Sequence, residues 1–425
     1  MKFCSCYHLT NFDVAIVGAG PAGMMAAARA AARGRRTIVI DRNREAGVKI
    51  LLSGGTRCNL THATDARGIV AAFGPNGRFL HSALAALSPQ DVIELFEGEG
   101  VLTKVEPGGK VFPASDRASD VRAALMRRVK QAGCDVATGE MVDEIVRDSA
   151  GFRLITDQRE VLAKKVILAT GGQSYPACGT TGDGYRWAAA LGHRVVPPHT
   201  ALVPITSHAP WVLALQGITL PDVRAAVVEL GVEARATKGR GSLAESRGAL
   251  LFAHFGVTGP AAMDVSHAVS GHPRPSELRL RCDLLPEVSA QELERELNEK
   301  TCQAGKRQVA GLLDAWLPRR VGETLFQRIG VSPAKPLAEF SKNERRHLIA
   351  TAKSLEIPVA GTMGFRKAEV TAGGVALDEV DSRTMQSRLV PGLYFAGELL
   401  DLNGPIGGYN FQAAFSTGWL AGENV

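Results

Sequence analysis

Two glycine-rich segments at opposite ends of the sequence constrain this chain most. Near the start, Asp13-Val-Ala-Ile-Val-Gly18-Ala-Gly20-Pro-Ala-Gly23 runs from a short apolar stretch into an alanine-rich one. Near the other end, Phe395-Ala-Gly397-Glu398 leads to Gly407-Gly408-Tyr409-Asn410-Phe411. Residues 13–17 and 36–40 read as buried parallel strands, and 21–34 as the helix between them, ended by Gly34. Gly18 permits a tight turn, Gly20 lets the backbone approach a pyrophosphate, and Gly23 lets helix and strand pack closely. The helix N-terminus adds free N–H groups and the positive end of its dipole. Asp41, closing the second strand, stands where a carboxylate accepts hydrogen bonds from a ribose 2′-OH. Strand, turn, helix, strand and acid in this order make a dinucleotide site, for either NAD or FAD.

The late segment favours FAD. A strand-end acid at Glu398 suits the ribityl or pyrophosphate region, and a glycine-rich helix start directs N–H groups at the flavin pyrimidine ring. The strand ending in Ala169-Thr170-Gly171-Gly172 is a common companion of FAD domains. No second strand–GxGxxG–helix unit follows, so the chain lacks the NAD domain of the glutathione-reductase kind, and a nicotinamide donor would dock transiently. The expected architecture is α/β: a Rossmann-like FAD-binding domain built from both ends, with the rest inserted.

The interior supports that division. A helix is expected over 116–132, then an antiparallel meander from 136–138, 141–146 and 152–156, and a helix from Thr181-Gly-Asp-Gly-Tyr185 to Leu191. After Val196-Pro-Pro-His199 the pattern turns to alternating strands, and 287–355 is charged and helical in period. The boundaries follow: FAD domain 1–195, β-rich insert 196–285, helical subdomain 286–355, β-rich return 356–390, FAD domain again 391–425. No apolar run reaches the about 18 residues that span a bilayer, and the start MKFCSCYHLT lacks a signal-peptide layout, so the cytoplasm is expected. Seven scattered cysteines (4, 6, 58, 134, 178, 282, 302) contain no CxxC pair, which argues against zinc or a dithiol motif; no metal is expected. The net charge of +6 and pI of about 9.0 are mild. Arg319, Arg320, Lys342, Arg345 and Arg346 favour an RNA partner through phosphate contacts, against Glu292, Glu294, Glu296, Glu299 and Glu344 on the same helices.

The most distinctive stretch is Lys49-Ile-Leu-Leu-Ser53-Gly54-Gly55-Thr-Arg57-Cys58-Asn59-Leu-Thr-His62, which makes a poor core and a good anion loop. Cys58 is either a proton donor or a small buried residue in that loop. With this stretch, ATGGQSYPACGTTGDGYRWAAALGH, GALLFAHFGVTGPAAMDVS, EVTAGGV and AGELLDLNGPIGGYNFQAAFSTG, the chain resembles the YhiN/BaiN-type flavoproteins, NAD(P)/FAD-dependent oxidoreductases. The family pattern is closer to SGGGRCNVTN, so Thr56 and His62 depart from it.

The resemblance implies a site residue by residue. Gly18, Ala19, Gly20, Ala22 and Gly23 lie under the pyrophosphate, with Asp41 and Arg42 at the adenosine side and Val142 on adenine through its backbone. Lys49, Ser53, Gly54, Gly55, Arg57, Cys58 and Asn59 border the flavin and its phosphates. Ala169, Thr170 and Gly171 lie beside the nucleotide, and Gly397, Glu398, Asp401, Gly407, Gly408, Tyr409, Asn410 and Phe411 close over ribityl and ring. Candidate acids are Tyr175, Cys58 and His254, each weighed against a plain structural role. The implied function is reduction of an activated C=C bond with NAD(P)H, on uridine in ribosomal RNA or on a small-molecule enone. Alternatives are an FAD-dependent oxidase of a small amine such as aminoacetone and a non-enzymatic flavin-bound RNA-binding factor.

Overall fold

The apolar run at 13–17 becomes the centre of a sheet because its β-branched and small side chains are buried on both faces. The structure, a computed structural model, describes residues 10–230, 241–303 and 307–425. Residues 1–9, with Cys4 and Cys6, and the side chain of Cys302 lie outside the described residues. Strand β1 (Thr10–Val17) enters helix α1 (Pro21–Ala32) and returns through strand β2 (Thr37–Asp41), paired parallel to β1 from Val14↔Thr37 to Val17↔Ile40. Glu160–Leu168 pairs parallel on the other side of β1. Its early half also pairs with Gly151–Thr156 and its late half with Leu393–Phe395, so the chain's end is hydrogen-bonded into the first sheet.

One expected pairing is corrected. Asp135–Thr138 does not join the meander; it lies at the opposite edge, parallel to β2. The helix Ala118–Gln131 precedes it and acts as a crossover, which returns the chain in the parallel sense. The meander is instead Val142–Asp148, Gly151–Thr156 and Glu160–Leu168.

The C-terminal helix Tyr409–Asn424 packs against α1. A Cβ on Gly418 would collide with the Ala22 carbonyl oxygen, and one on Gly422 would stand 2.5 Å from that of Ala26. The matched pairs 22/418 and 26/422 make the helices parallel, with their backbones nearly touching. At about 1.5 Å per residue, the N-terminus of the C-terminal helix begins about 12 Å before that of α1. Arg29 and Arg33 both pair with Glu423, and Arg29 lies 4.6 Å over the Trp419 ring.

The chain divides into two units, one of residues up to His199 with Glu369–Val425 and the other Thr200–Ala368. The return to the first unit therefore comes at 369 rather than 391. The physical reason is that Val370–Val375 pairs with Val195–Ala201 and bridges Leu400 through Val375. In the second unit an antiparallel sheet runs in the order Leu355–Pro358, Leu278–Asp283, Thr219–Glu229, Ala244–Ala253, Gly256–Thr258, Ile205–Thr206, Gly361–Thr362. Helices Ala290–Gln303, Arg319–Arg328 and Lys342–Lys353 share one apolar core with that sheet, through Leu293, Leu297, Leu325, Phe326 and Leu348. Among the described residues no helix is long and apolar enough to cross a membrane.

The helix contact makes a stability prediction. Gly418→Val forces apart α1 and the C-terminal helix and lowers unfolding free energy by about 1–3 kcal/mol in urea melts. Gly98→Ala, at an exposed helix end where an added Cβ meets no atom within 4 Å, is neutral or stabilising. Equal stability of the two variants would contradict the packing.

Candidate cofactor site

The glycines of the first motif do different work. Gly18 has φ +101°, and a Cβ there would collide with the Ala169 carbonyl; a Cβ on Gly23 would collide with the Gly18 carbonyl. Both are required by the protein's own packing. Gly20 is not: no protein atom stands within 4 Å of the place its Cβ would take. Gly20 is also the N-cap of α1 and supplies no side-chain cap, so the first N–H groups of the helix are left to an anion or solvent. Beside this loop the buried Thr170 Oγ1 has no hydrogen-bond partner among the described residues. Asp41 braces the loop: its Oδ2 accepts from Ala19 N at 2.7 Å and its Oδ1 from Asn43 N at 2.8 Å. Burial raises its carboxyl above the usual range, against the lowering by those N–H groups.

The 53–62 loop docks onto the start of the C-terminal helix. Gly54, Gly55, Thr56 and Cys58 all have positive φ, so Thr56 takes the backbone conformation for which the family pattern has glycine. The Asn59 amide oxygen accepts from Gly408 N at 3.0 Å while its nitrogen donates to the carbonyls of Thr61 and Val111. Thr61 Oγ1 donates to Gln412 Oε1 at 2.6 Å. His62 Nδ1 lies 3.1 Å from the Gly407 carbonyl, and its ring stacks on Tyr409 at 4.6 Å. Asn410 holds both backbone groups of Gly404, accepting from its N–H and donating to its carbonyl at 2.8 Å each. Gly408 caps this helix without a side-chain cap, as Gly20 caps α1.

A third arrangement joins segments far apart in sequence. Lys49, in helix α2 (Val48–Leu52), donates to Glu398 Oε2 at 2.7 Å and to Ser174 Oγ at 2.8 Å. Ser174 Oγ donates to Glu398 Oε1 at 2.8 Å, which also accepts from Thr371 N at 3.0 Å. Charges in this half-buried setting are satisfied by each other and by hydroxyl and amide groups. The arrangement as a whole offers two uncapped parallel helix N-termini about 12 Å apart along their axes, with a glycine loop at one and a latched loop at the other.

The HI0933-like protein Rossmann domain profile matches residues 12–424. The chain belongs to the HI0933-like family. It is 35% identical to a ribosomal RNA dihydrouridine synthase of Escherichia coli over 420 residues, 98% of each chain. It is 30% identical to a 3-dehydro-bile acid delta(4,6)-reductase of Clostridium scindens, over 96% of this chain and 98% of the relative. A solved 3-ketosteroid-Δ4-(5α)-dehydrogenase from Rhodococcus jostii has the same fold, with a TM-score of 0.52 and 15% identity over 99% of this chain and 98% of its own.

Within this HI0933-like chain the remaining predicted residues fall into several settings. Arg57 is held by Glu106 at 2.6 Å and Asp116 at 3.4 Å and lies 4.0 Å over the Phe112 ring, so its charge is balanced inside the protein. Arg42 donates to Thr181 Oγ1 at 2.6 Å and pairs with Asp183 at 3.0 Å. Val142 opens its strand at a register shift between Val142 and Glu144. Gly397 N donates to Thr417 Oγ1 on the C-terminal helix, Asp401 N donates to the Val375 carbonyl, and Phe411 packs on Phe415. Ser53 Oγ donates back to Ile50 O. His254 belongs to the second unit, exposed, with its ring edge-on to Phe255 at 5.0 Å. Tyr175 has φ +52°, and its hydroxyl makes no hydrogen bond among the described residues. Among the described residues no group of three or more His, Cys, Asp or Glu is placed to hold a metal ion.

Thr371, Asn43 and Gln412 escaped the sequence reading. Thr371 and Gln412 lie inside the segments EVTAGGV and AGELLDLNGPIGGYNFQAAFSTG, and Asn43 lies in none; no spacing marks their roles, because their partners, Ser174, Thr61 and Cys178, are remote in sequence.

The Cys58 thiol is fully buried, and burial pushes it up to about 12 from 9.0, against the lowering by Ser53. It therefore stays protonated at neutral pH and is a poor acid. Because the folded value is raised, its contribution to stability is complete below pH 9.0 and is lost as pH rises towards about 12. Cys58→Ala should flatten the alkaline fall in urea-unfolding free energy; an unchanged alkaline limb would contradict a protonated buried thiol.

Proposed function

We propose that this chain is an FAD-dependent oxidoreductase that reduces an activated C=C bond with NAD(P)H, and that its substrate is uridine in RNA. The observation that carries the reading is the pair of parallel, uncapped helix N-termini with Gly20 open at the first and Gly408 latched at the second. A compact mononucleotide needs one such terminus. An elongated dinucleotide with a pyrophosphate in the middle and a ring that becomes anionic on reduction uses both. FAD held there would supply the hydride chemistry for alkene reduction, with NAD(P)H as the electron source.

The chain's own groups do the rest. Gly18 to Gly23, braced by Asp41, hold the pyrophosphate on the α1 N–H groups, and Thr170 lies beside the nucleotide. Residues 53–59 and 407–411 close over the ring, with the C-terminal helix dipole favouring negative charge there. Tyr175 donates the proton to the carbon next to the one that receives hydride. Burial, then the Glu369 carboxylate, raise its phenol, so the hydroxyl is fully protonated at neutral pH. The relatives' names support C=C reduction: dihydrouridine is uridine with its ring alkene reduced, and a delta(4,6)-reductase acts on alkenes. RNA is favoured over an enone because a second ribosomal RNA dihydrouridine synthase, of Haemophilus influenzae, is 33% identical and the net charge is +6.

Two measurements test this. Gly20→Trp should give folded but colourless protein, since the indole fills the open position; a fully yellow variant contradicts the pyrophosphate assignment. In anaerobic stopped flow, NADPH should bleach the yellow wild type within seconds and RNA lacking dihydrouridine should restore the colour. Bleaching by a small amine such as aminoacetone but not by NADPH would replace the reductase with an oxidase.

A further inference from the structure

We infer that Lys49, Ser174 and Glu398 form a positioning triad that fixes Tyr175 in the conformation from which its hydroxyl serves the reaction. The inference rests on the reading of Tyr175 as proton donor. It starts from a backbone fact: Tyr175 sits at φ +52°, which bulky L residues rarely adopt and which persists only where the surroundings over-determine it.

Those surroundings are the triad. Ser174, the residue before, is fully buried, and its hydroxyl accepts from Lys49 Nζ and donates to Glu398 Oε1, both at 2.8 Å. Lys49 Nζ donates to Glu398 Oε2 at 2.7 Å, which closes a ring of three hydrogen bonds. Thr371, itself fully buried, accepts from Gln173 N at 2.8 Å and Ser174 N at 3.1 Å through Oγ1, while its own N–H donates to Glu398. On the far side Cys178 N donates to the Tyr175 carbonyl at 2.8 Å, and Thr180 Oγ1 donates to the carbonyls of Ser174 and Tyr175. The backbone is thus pinned before and after Tyr175, while its hydroxyl is unpartnered among the described residues. Packed apolar side chains would serve stability as well as this ion pair does, so the network's distinctive product is a fixed direction at residue 174.

In the step this serves, hydride adds to one alkene carbon, the phenol O–H bond breaks, and its proton bonds to the neighbouring carbon. The phenolate left behind is reprotonated by water.

The test uses the yellow holoenzyme with Ser174→Ala, Ser174→Thr and Tyr175→Phe, read in two half-reactions and by hydrogen exchange. Bleaching by NADPH needs no proton donor, so each variant's restoration rate is read relative to its own bleaching rate. Restoration of colour by ribosomal RNA lacking dihydrouridine should slow about 100-fold or more in Tyr175→Phe, and at least about tenfold in Ser174→Ala, with Ser174→Thr near wild type. Backbone amides of 173–180 should exchange faster in Ser174→Ala and not in Ser174→Thr. If Tyr175→Phe is slow while Ser174→Ala restores colour and exchanges as wild type does, the triad is overturned. If Tyr175→Phe has the wild-type rate, the proton-donor reading falls, and the exchange data alone decide the triad. Should Ser174→Ala fail to fold, Ser174→Cys, nearly isosteric and a weak donor, takes its place with the same two outcomes.

Discussion

The near-contact of α1 with the C-terminal helix is the constraint on which the rest of this molecule depends. Ala22 and Ala26 face Gly418 and Gly422 with no room for a side chain on the glycine side. That contact makes the helices parallel and sets the stagger of their N-termini. Two positive dipole ends then lie on neighbouring parallel helices, staggered by about 12 Å along their axes. Leu393–Phe395, hydrogen-bonded to Glu160–Leu168, delivers the late segment to this position. The second unit can be inserted between residues 199 and 369 because both chain ends of the first unit are already tied into one sheet.

Around the helix pair, polar side chains carry the loops. Asp41 braces the first loop, Asn59 and Thr61 latch the second to Gly408 and Gln412, and Lys49 with Glu398 ties the second to the Ser174 turn. Gln412 extends this inward: its amide donates to the Leu87 carbonyl and to Ser416 Oγ, which in turn bonds Leu87. All of these groups are paired, as buried polar groups must be if they are to stabilise rather than cost free energy. The result is a set of glycine-rich loops tied in place by side-chain hydrogen bonds.

The parts of the fold that were readable from sequence are those with a local physical signature. The GAGPAG turn, the alanine-rich helix and Asp41 announce a βαβ unit because each conformation is dictated by its own residues. Asp135–Thr138, like any short strand, carries no label for its partner; the crossover helix decides it. The return at 369 has no local signature for the same reason, since Val370–Val375 is distinguished from other β segments only by its pairing with Val195–Ala201. At the site, Lys49 and Glu398 were both singled out, but their mutual ion pair spans most of the sequence and no spacing rule reaches that far. Arg57 is expected to border the flavin and its phosphates; its carboxylate partners, Glu106 and Asp116, lie in a separate stretch with no motif.

The proposed function depends on a single dinucleotide, with a pyrophosphate, bridging the two helix N-termini. The most direct measurement is the identity and amount of flavin released when the purified yellow protein is denatured and the supernatant is separated by chromatography. FAD at about one equivalent per chain is the predicted result. FMN, which has no pyrophosphate to place at Gly20, or nicotinamide dinucleotide without flavin, would contradict the claim.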